Sequence, residues 1–194
     1  MPKLYIISGC NGSGKTTASY TLLPDLLNCR EFVNSDEFAK SFSPFDPSAA
    51  SVTASRYMLM KINYLLGRLA DFAIETTLAT RSLIKIIRQA QGLGYEVTLL
   101  YFWLHSPELA IQRVHDRVTA GGHNIPDQVV RRRYVMGLQY FFDSYIPEID
   151  RWILADNSKP PFSVVAEGSK GLVYIKDNEK YQLIRSIAHP DEQQ

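Results

Sequence analysis

The chain has 194 residues, enough for one α/β domain with a sizeable core. Its net charge of +1 gives no global reason to expect a nucleic-acid or membrane partner. Two cysteines, Cys10 and Cys29, argue against a disulfide scaffold and fit a reducing cytosol. With no apolar run long enough for a membrane helix and none placed as a signal peptide, a cytoplasmic protein is expected.

In chain order, Leu4 to Ile7 reads as a short buried parallel strand. It leads into Gly9-Cys10-Asn11-Gly12-Ser13-Gly14-Lys15-Thr16, a complete P-loop. The glycines let backbone N–H groups curl inward as an anion nest. In this motif the lysine reaches the β- and γ-phosphates, and the following hydroxyl is placed to ligate Mg²⁺. Gly9, Asn11, Gly12, Ser13, Gly14, Lys15, Thr16 and Thr17 are therefore expected to bind a nucleoside triphosphate. Cys10 fills a variable position of the loop. A thiol beside a helix N-terminus can have a lowered pKa, which would open the loop to oxidation. A helix from about Lys15 to Leu23 is expected to end at Pro24.

A second strand, Glu31 to Asn34, delivers Ser35, Asp36 and Glu37. Phosphoryl transfer to a hydroxyl needs a carboxylate that orients the nucleophile and takes its proton. Asp36 falls where an acceptor would sit beside the γ-phosphate. The competing reading makes it a helix cap. Ser51 to Leu69 then reads as a helix with Ala54, Met58, Leu59, Ile62, Leu65, Leu66 and Leu69 on a broad apolar face. The third strand, Phe72 to Glu75, ends in Glu75-Thr76-Thr77. A carboxylate at a strand tip can serve Mg²⁺ through water or accept from a substrate hydroxyl. Glu75 and Thr76 are the candidate substrate-side residues, with Glu75 also a candidate for the metal beside Thr16.

Leu83 to Gln91 is a short helix stopped by Gly92 and Gly94, and Glu96 to Leu104 is the fourth strand. Ser106-Pro107-Glu108 opens a helix with a cap, a first-turn proline and an early acid. The stretch from Arg113 to Arg133 is basic and broken at Gly121-Gly122, with His123 at the break read as structural. Arg113 and Arg117, four apart, share a helix face. Such a pair of helices can close as a lid, its arginines neutralising the transferring phosphoryl group. Arg131, Arg132 and Arg133 lie about 100° apart around a helix and cannot all face one ligand; Arg131 is the one assigned to the nucleotide. The fifth strand is Trp152 to Asp156. After Pro160-Pro161, Phe162 to Ala166 and Leu172 to Lys176 form an antiparallel hairpin about a Gly168-containing turn, and His189 to Gln194 form a frayed tail.

Strands alternating with helices imply an α/β P-loop NTPase or kinase fold. The expected sheet is mainly parallel and five-stranded, with helices on both faces and a short C-terminal hairpin. The expected division is a kinase domain over 1–160, with a helical lid at about 106–146, and a hairpin and tail over 161–194 packed on it. No Asn-Lys-x-Asp guanine-reading motif is present, which weighs against a GTPase. Two other readings remain. In one, the arginine segment is a nucleic-acid backbone patch. In the other, ATP controls a protein contact in a regulatory binding module.

Taken together, these motifs resemble the zeta-toxin family of P-loop kinases, in the compact bacterial branch also labelled ABC-type ATPases. The matching elements are Gly9 to Thr17, Phe32 to Glu37, Ser43-Pro44-Phe45-Asp46-Pro47, Ile74 to Leu78, and Gly121 to Pro126 with Arg131 to Arg133. The resemblance implies ATP and Mg²⁺ as cofactors and a hydroxyl acceptor of the UDP-N-acetylglucosamine type. It implies Lys15 and Thr16 at the phosphates and Mg²⁺, Asp36 as base and Glu75 near the acceptor. Arg113 or Arg117, with a later arginine, would clamp the phosphates. It also implies a possible antitoxin partner. The chain departs from the larger toxins in starting at the first strand and in its lid sequence, so the nucleotide chemistry carries over better than the acceptor.

Overall fold

The computed structural model describes residues 1–46, 49–122 and 124–190. Pro47, His123 and the last four residues of the expected tail lie outside the described residues. The strands are β1 (Lys3–Ser8), β2 (Glu31–Val33), β3 (Phe72–Thr76), β4 (Glu96–Trp103), β5 (Arg151–Asp156), β6 (Ser163–Ser169) and β7 (Leu172–Ile175). The helices are α1 (Lys15–Thr21), α2 (Ser35–Phe42), α3 (Ser51–Gly67), α4 (Ile84–Gly92), α5 (Pro107–Thr119), α6 (Asp127–Tyr140) and α7 (Asn178–Ala188).

All seven strands join one sheet in the order β2-β3-β1-β4-β5-β6-β7. The first five are parallel, with β1 registered between β3 and β4. The expected five-stranded parallel sheet is thus present, and the terminal hairpin extends it, β6 running antiparallel to β5 and β7 to β6. Hairpin and sheet merge because β5 would otherwise leave an open edge of unpaired backbone groups. Gly168 lies within β6, and the turn falls at Lys170 and Gly171, both at positive φ. A side chain at Gly168 would strike the Trp152 ring.

Strand alternation sorts the side chains into two cores. Leu4 and Ile6 of β1 face one, with Phe72, Ile74, Val97, Leu99 and Leu154. Tyr5 and Ile7 face the other, with Ala73, Leu100, Phe102 and Ala155. Helices lie on both faces, as expected, but unevenly. The first core is covered by buried residues of α3, α4, α5, α6 and α7. The second is covered by α1 and the turn that follows it. Pro24 does not stop the helical chain abruptly; a π-turn carries it through Leu22–Leu26.

Helix α3 buries Ala54, Ile62, Leu65 and Leu66, while Leu59 and Leu69 of the expected face are exposed. Its apolar residues surround most of the helix, so periodicity alone could not choose the inward side. The helix α7 was not foreseen. Asp177 caps it by accepting from the Lys180 amide at 3.0 Å, and Tyr181, Ile184 and Ala188 turn inward. His189, expected to open a frayed tail, is instead held in place, its Nε2 lying 2.7 Å from Asp143 Oδ1.

Candidate active site

β1 is the point where the sheet's strand order reverses, and ligands of open α/β sheets collect at the carboxyl ends of strands beside such a point. A cavity of about 970 Å³ opens there. Asn11, Gly12, Gly14, Lys15, Thr16 and Thr17 line it from the P-loop. Gly12 and Gly14 take φ of +80° and +82°, a conformation that strains any other residue. They also allow close contact. A Cβ on Gly12 would lie 2.4 Å from the Ala110 carbonyl, and one on Gly14 would lie 2.5 Å from Asn157 Nδ2. Gly9 and Ser13 shape the loop from beneath rather than lining the cavity; Ser13 is buried, and its carbonyl accepts from Asn157 Nδ2 at 2.7 Å.

Lys15 is buried, its Nζ donating to the Cys10 carbonyl at 2.8 Å. Burial pulls its pKa down, against the opposing field of Glu75. A buried cation of this kind is best satisfied by an anion brought beside it, which is what a phosphate site supplies. Glu75 stands at the tip of β3. Burial raises its pKa, with Lys15 and a hydrogen bond from Thr16 pulling the other way. The Thr16 hydroxyl lies 2.9 and 3.0 Å from its two oxygens. Thr16 and Glu75 thus form an oxygen-rich pair beside Lys15, a donor set of the hard kind that suits Mg²⁺.

Asp36 lines the same cavity from the first turn of α2 and is exposed to it. It is not the helix cap. Asn34 is, its Oδ1 accepting from the Asp36 amide at 2.9 Å. The Asp36 carboxylate is therefore not needed to hold the helix. Thr76 lines the cavity beside Glu75, with Met58, Thr77, Ser82 and Leu83 around it.

The arginines divide by task. Arg113 and Arg117 both line the cavity, as their shared face predicts. Arg113, however, donates Nη1 to the Asn157 carbonyl at 3.0 Å and Nη2 to the Ser158 carbonyl at 2.8 Å. Two of its nitrogens brace the loop after β5. Arg131, assigned to the nucleotide from sequence, is corrected: it is exposed, does not line the cavity and pairs with Glu108 of α5. The arginine of the trio Arg131 to Arg133 that reaches the cavity is Arg133, which is turned about 200° from Arg131 around the helix. Arg133 lines the cavity and donates Nη1 to Asn11 Oδ1 at 2.9 Å. Burial lowers its pKa while Asp36 raises it.

Cys10 is 2% exposed and packs in the larger core, and burial pushes its thiol up to about 11. This agrees with Cys10 as a small filler of a variable position and goes against the alternative of a lowered pKa and easy oxidation, because desolvation outweighs the cations of the loop.

Sequence reasoning missed three polar residues at the site: Asn34, Asn157 and, as the arginine of choice, Arg133. Asn34 had a signal, because Asn34-Ser35-Asp36-Glu37 has the spacing of a capping box. Asn157 had none, since it reaches the P-loop across 144 positions of chain. Among the described residues no cluster of three or more His, Cys, Asp or Glu could hold a metal by itself. No helix among them is long and apolar enough to cross a membrane.

The zeta toxin family model matches residues 1–144. An uncharacterized protein of Haemophilus influenzae (strain ATCC 51907 / DSM 11121 / KW20 / Rd) is 30% identical over 132 residues, 68% of this chain and 92% of that protein. Among solved structures, the AvrRxo1-ORF1:-ORF2 complex with ATP aligns with TM-score 0.76 and 20% identity. The alignment covers 96% of this chain, which spans 64% of the length of that one. The PezAT chromosomal toxin–antitoxin system of Streptococcus pneumoniae aligns with TM-score 0.67 and 15% identity, covering 100% of this chain and 88% of that one. At these identities the two structures establish a shared fold.

Proposed function

This chain belongs to the zeta toxin family of P-loop kinases, and from that membership we propose that it transfers the γ-phosphate of ATP to a hydroxyl of a small molecule. The observation that carries the proposal is the meeting of Lys15, the Thr16–Glu75 pair and the exposed carboxylate of Asp36 in one cavity. The nucleotide lies along the P-loop, with Lys15 at the β- and γ-phosphates. Thr16 and Glu75 are the residues that would hold Mg²⁺, which when bound supplies charge neutralisation at the phosphate oxygens. Asp36 accepts the proton of the acceptor hydroxyl. The acceptor oxygen then bonds to the γ-phosphorus, and the bond to the β-phosphate oxygen breaks to leave ADP. Arg117 and Arg133 face the phosphates from α5 and α6, and Arg113 holds the loop behind them. Helices α5 and α6 form the lid of a kinase domain over 1–160, with 161–194 as its C-terminal addition.

The acceptor is a nucleotide sugar of the UDP-N-acetylglucosamine type, on the strength of the family resemblance. ATP as donor is supported by the AvrRxo1-ORF1:-ORF2 structure solved with ATP. An antitoxin partner is supported by the likeness to the PezAT system, a chromosomal toxin–antitoxin pair; a cytoplasmic setting rests on the two buried free cysteines. The nucleic-acid reading loses support, because Arg131 is paired with Glu108 and Arg113 is spent on backbone carbonyls.

The test is transfer of labelled γ-phosphate to UDP-N-acetylglucosamine and a panel of nucleotide sugars, with Asp36→Ala as control. A labelled nucleotide sugar that disappears with Asp36→Ala is the expected result. Hydrolysis of ATP with no labelled acceptor overturns the acceptor. Parental transfer by Asp36→Ala overturns the base.

A further inference from the structure

Asn34 is 5% exposed, and each end of its side-chain amide is bonded in a different direction. Its Oδ1 accepts from the Asp36 amide at 2.9 Å and so caps α2. Its Nδ2 donates to Glu75 Oε2 at 3.0 Å. The reverse orientation of the amide would set N–H against N–H and oxygen against carboxylate, so the orientation is fixed by its partners. One planar group therefore ties the helix that carries Asp36 to the strand tip that carries Glu75. The same carboxylate receives the Thr16 hydroxyl, which extends the tie to the P-loop.

We propose that Asn34 is a positioning residue that fixes the separation of the proton acceptor and the phosphate site by clamping Glu75 while it caps the helix of Asp36. The inference rests on the kinase reading. Capping alone does not account for asparagine at this place. Serine, aspartate and asparagine cap about equally well. Of the three, only asparagine has an acceptor for the helix N–H on one branch and a donor for a carboxylate on the other. Aspartate would put a second carboxylate against Glu75. A serine hydroxyl would have to serve both partners with one oxygen, a bond nearer the backbone.

Two measurements test the proposal. In the first, Asn34→Ser keeps the cap and loses the clamp. Its Tm should stay within about 2 °C of the parent. Its KM for ATP should stay within about twofold, while kcat falls on the order of 10- to 100-fold from misplacement of the reacting groups. Parental kcat overturns the proposal, as does a parallel fall in kcat, ATP affinity and Tm. In the second, thermal unfolding is followed for Asn34→Asp, Glu75→Gln and the double variant. Asn34→Asp should lower Tm by about 2–4 °C, and the double variant, which exchanges donor and acceptor, should recover most of the loss. Strictly additive shifts overturn the clamp. A parent that transfers no phosphate sinks the kinase reading instead, and the unfolding cycle then decides the role of Asn34.

Discussion

The P-loop end of the cavity and its acceptor end are held differently. At the P-loop end, Asn157 grips the Ser13 carbonyl, Arg133 grips Asn11, Arg113 braces the loop behind, and Lys15 is tied to the Cys10 carbonyl. Elements from β1, α5, α6 and the end of β5 all converge on one short turn. At the acceptor end, Asp36 stands exposed on the first turn of α2, and the Asn34 amide joins that turn to β3. A triphosphate needs fixed donors set in place before it arrives, because reorganising them would cost part of the electrostatic gain. An acceptor hydroxyl needs one carboxylate that can reach it. The difference implies that damage at one end is read as binding and damage at the other as turnover.

The contrast is most directly broken by the two charged side chains. Lys15→Ala should weaken ATP binding and reduce kcat/KM together, on the order of 10³-fold or more. Asp36→Ala should lower kcat about 10²- to 10⁴-fold and leave ATP affinity within a few-fold. Calorimetric ATP titration beside steady-state transfer rates separates the two patterns; equal loss of affinity in both variants would erase the distinction.

A backbone test comes next. Gly12→Ala puts a Cβ at φ +80° and 2.4 Å from the Ala110 carbonyl, and should cost about 1–3 kcal/mol of stability along with ATP affinity. Chemical denaturation reads the first and titration the second. Unchanged stability would show that α5 gives way at Ala110.

The arginines sharpen the comparison further. Arg113→Ala removes two charge-assisted bonds to carbonyls and should cost about 1.5–3 kcal/mol, with weaker ATP binding as the Asn157 loop loosens. Arg131→Ala removes a surface pair with Glu108 and should leave Tm and transfer rate at parental values. A large rate loss with Arg131→Ala would restore it to the nucleotide site.

The smallest effect concerns Cys10. Its folded pKa of about 11 lies above that of an ordinary thiol, so less thiolate exists at neutral pH than in the unfolded chain. Alkylation of the native protein should be slow at neutral pH and should speed up on unfolding, as followed by mass spectrometry. Rapid modification of Cys10 in the folded protein would contradict its burial.

Much of this molecule was legible in the sequence. The P-loop spacing specifies a backbone conformation and a ligand charge together, so Gly12, Gly14, Lys15 and Thr16 could be placed without coordinates. The parallel strands were legible because a strand buried on both faces must be a short apolar run, as Leu4 to Ile7 is. Glu75 could be placed at a strand end and Asp36 just past one, because parallel strands deliver their carboxyl ends to one side of the sheet. Those deductions rest on local chemistry, or on periods of two and 3.6 residues that the chain carries within itself.

Tertiary structure decided what depends on distant partners. The sequence lists three arginines in a row at Arg131 to Arg133. Only the seating of α6 against α5 and the P-loop turns Arg133 inward and leaves Arg131 to Glu108. Asn157 and Asn34 look like ordinary loop and cap residues until folding brings them to Ser13 and Glu75. The hairpin's union with β5, and the outward turn of Leu59 and Leu69, likewise follow from which surfaces meet. A side chain's partners across the fold are set by packing, and no local period encodes them.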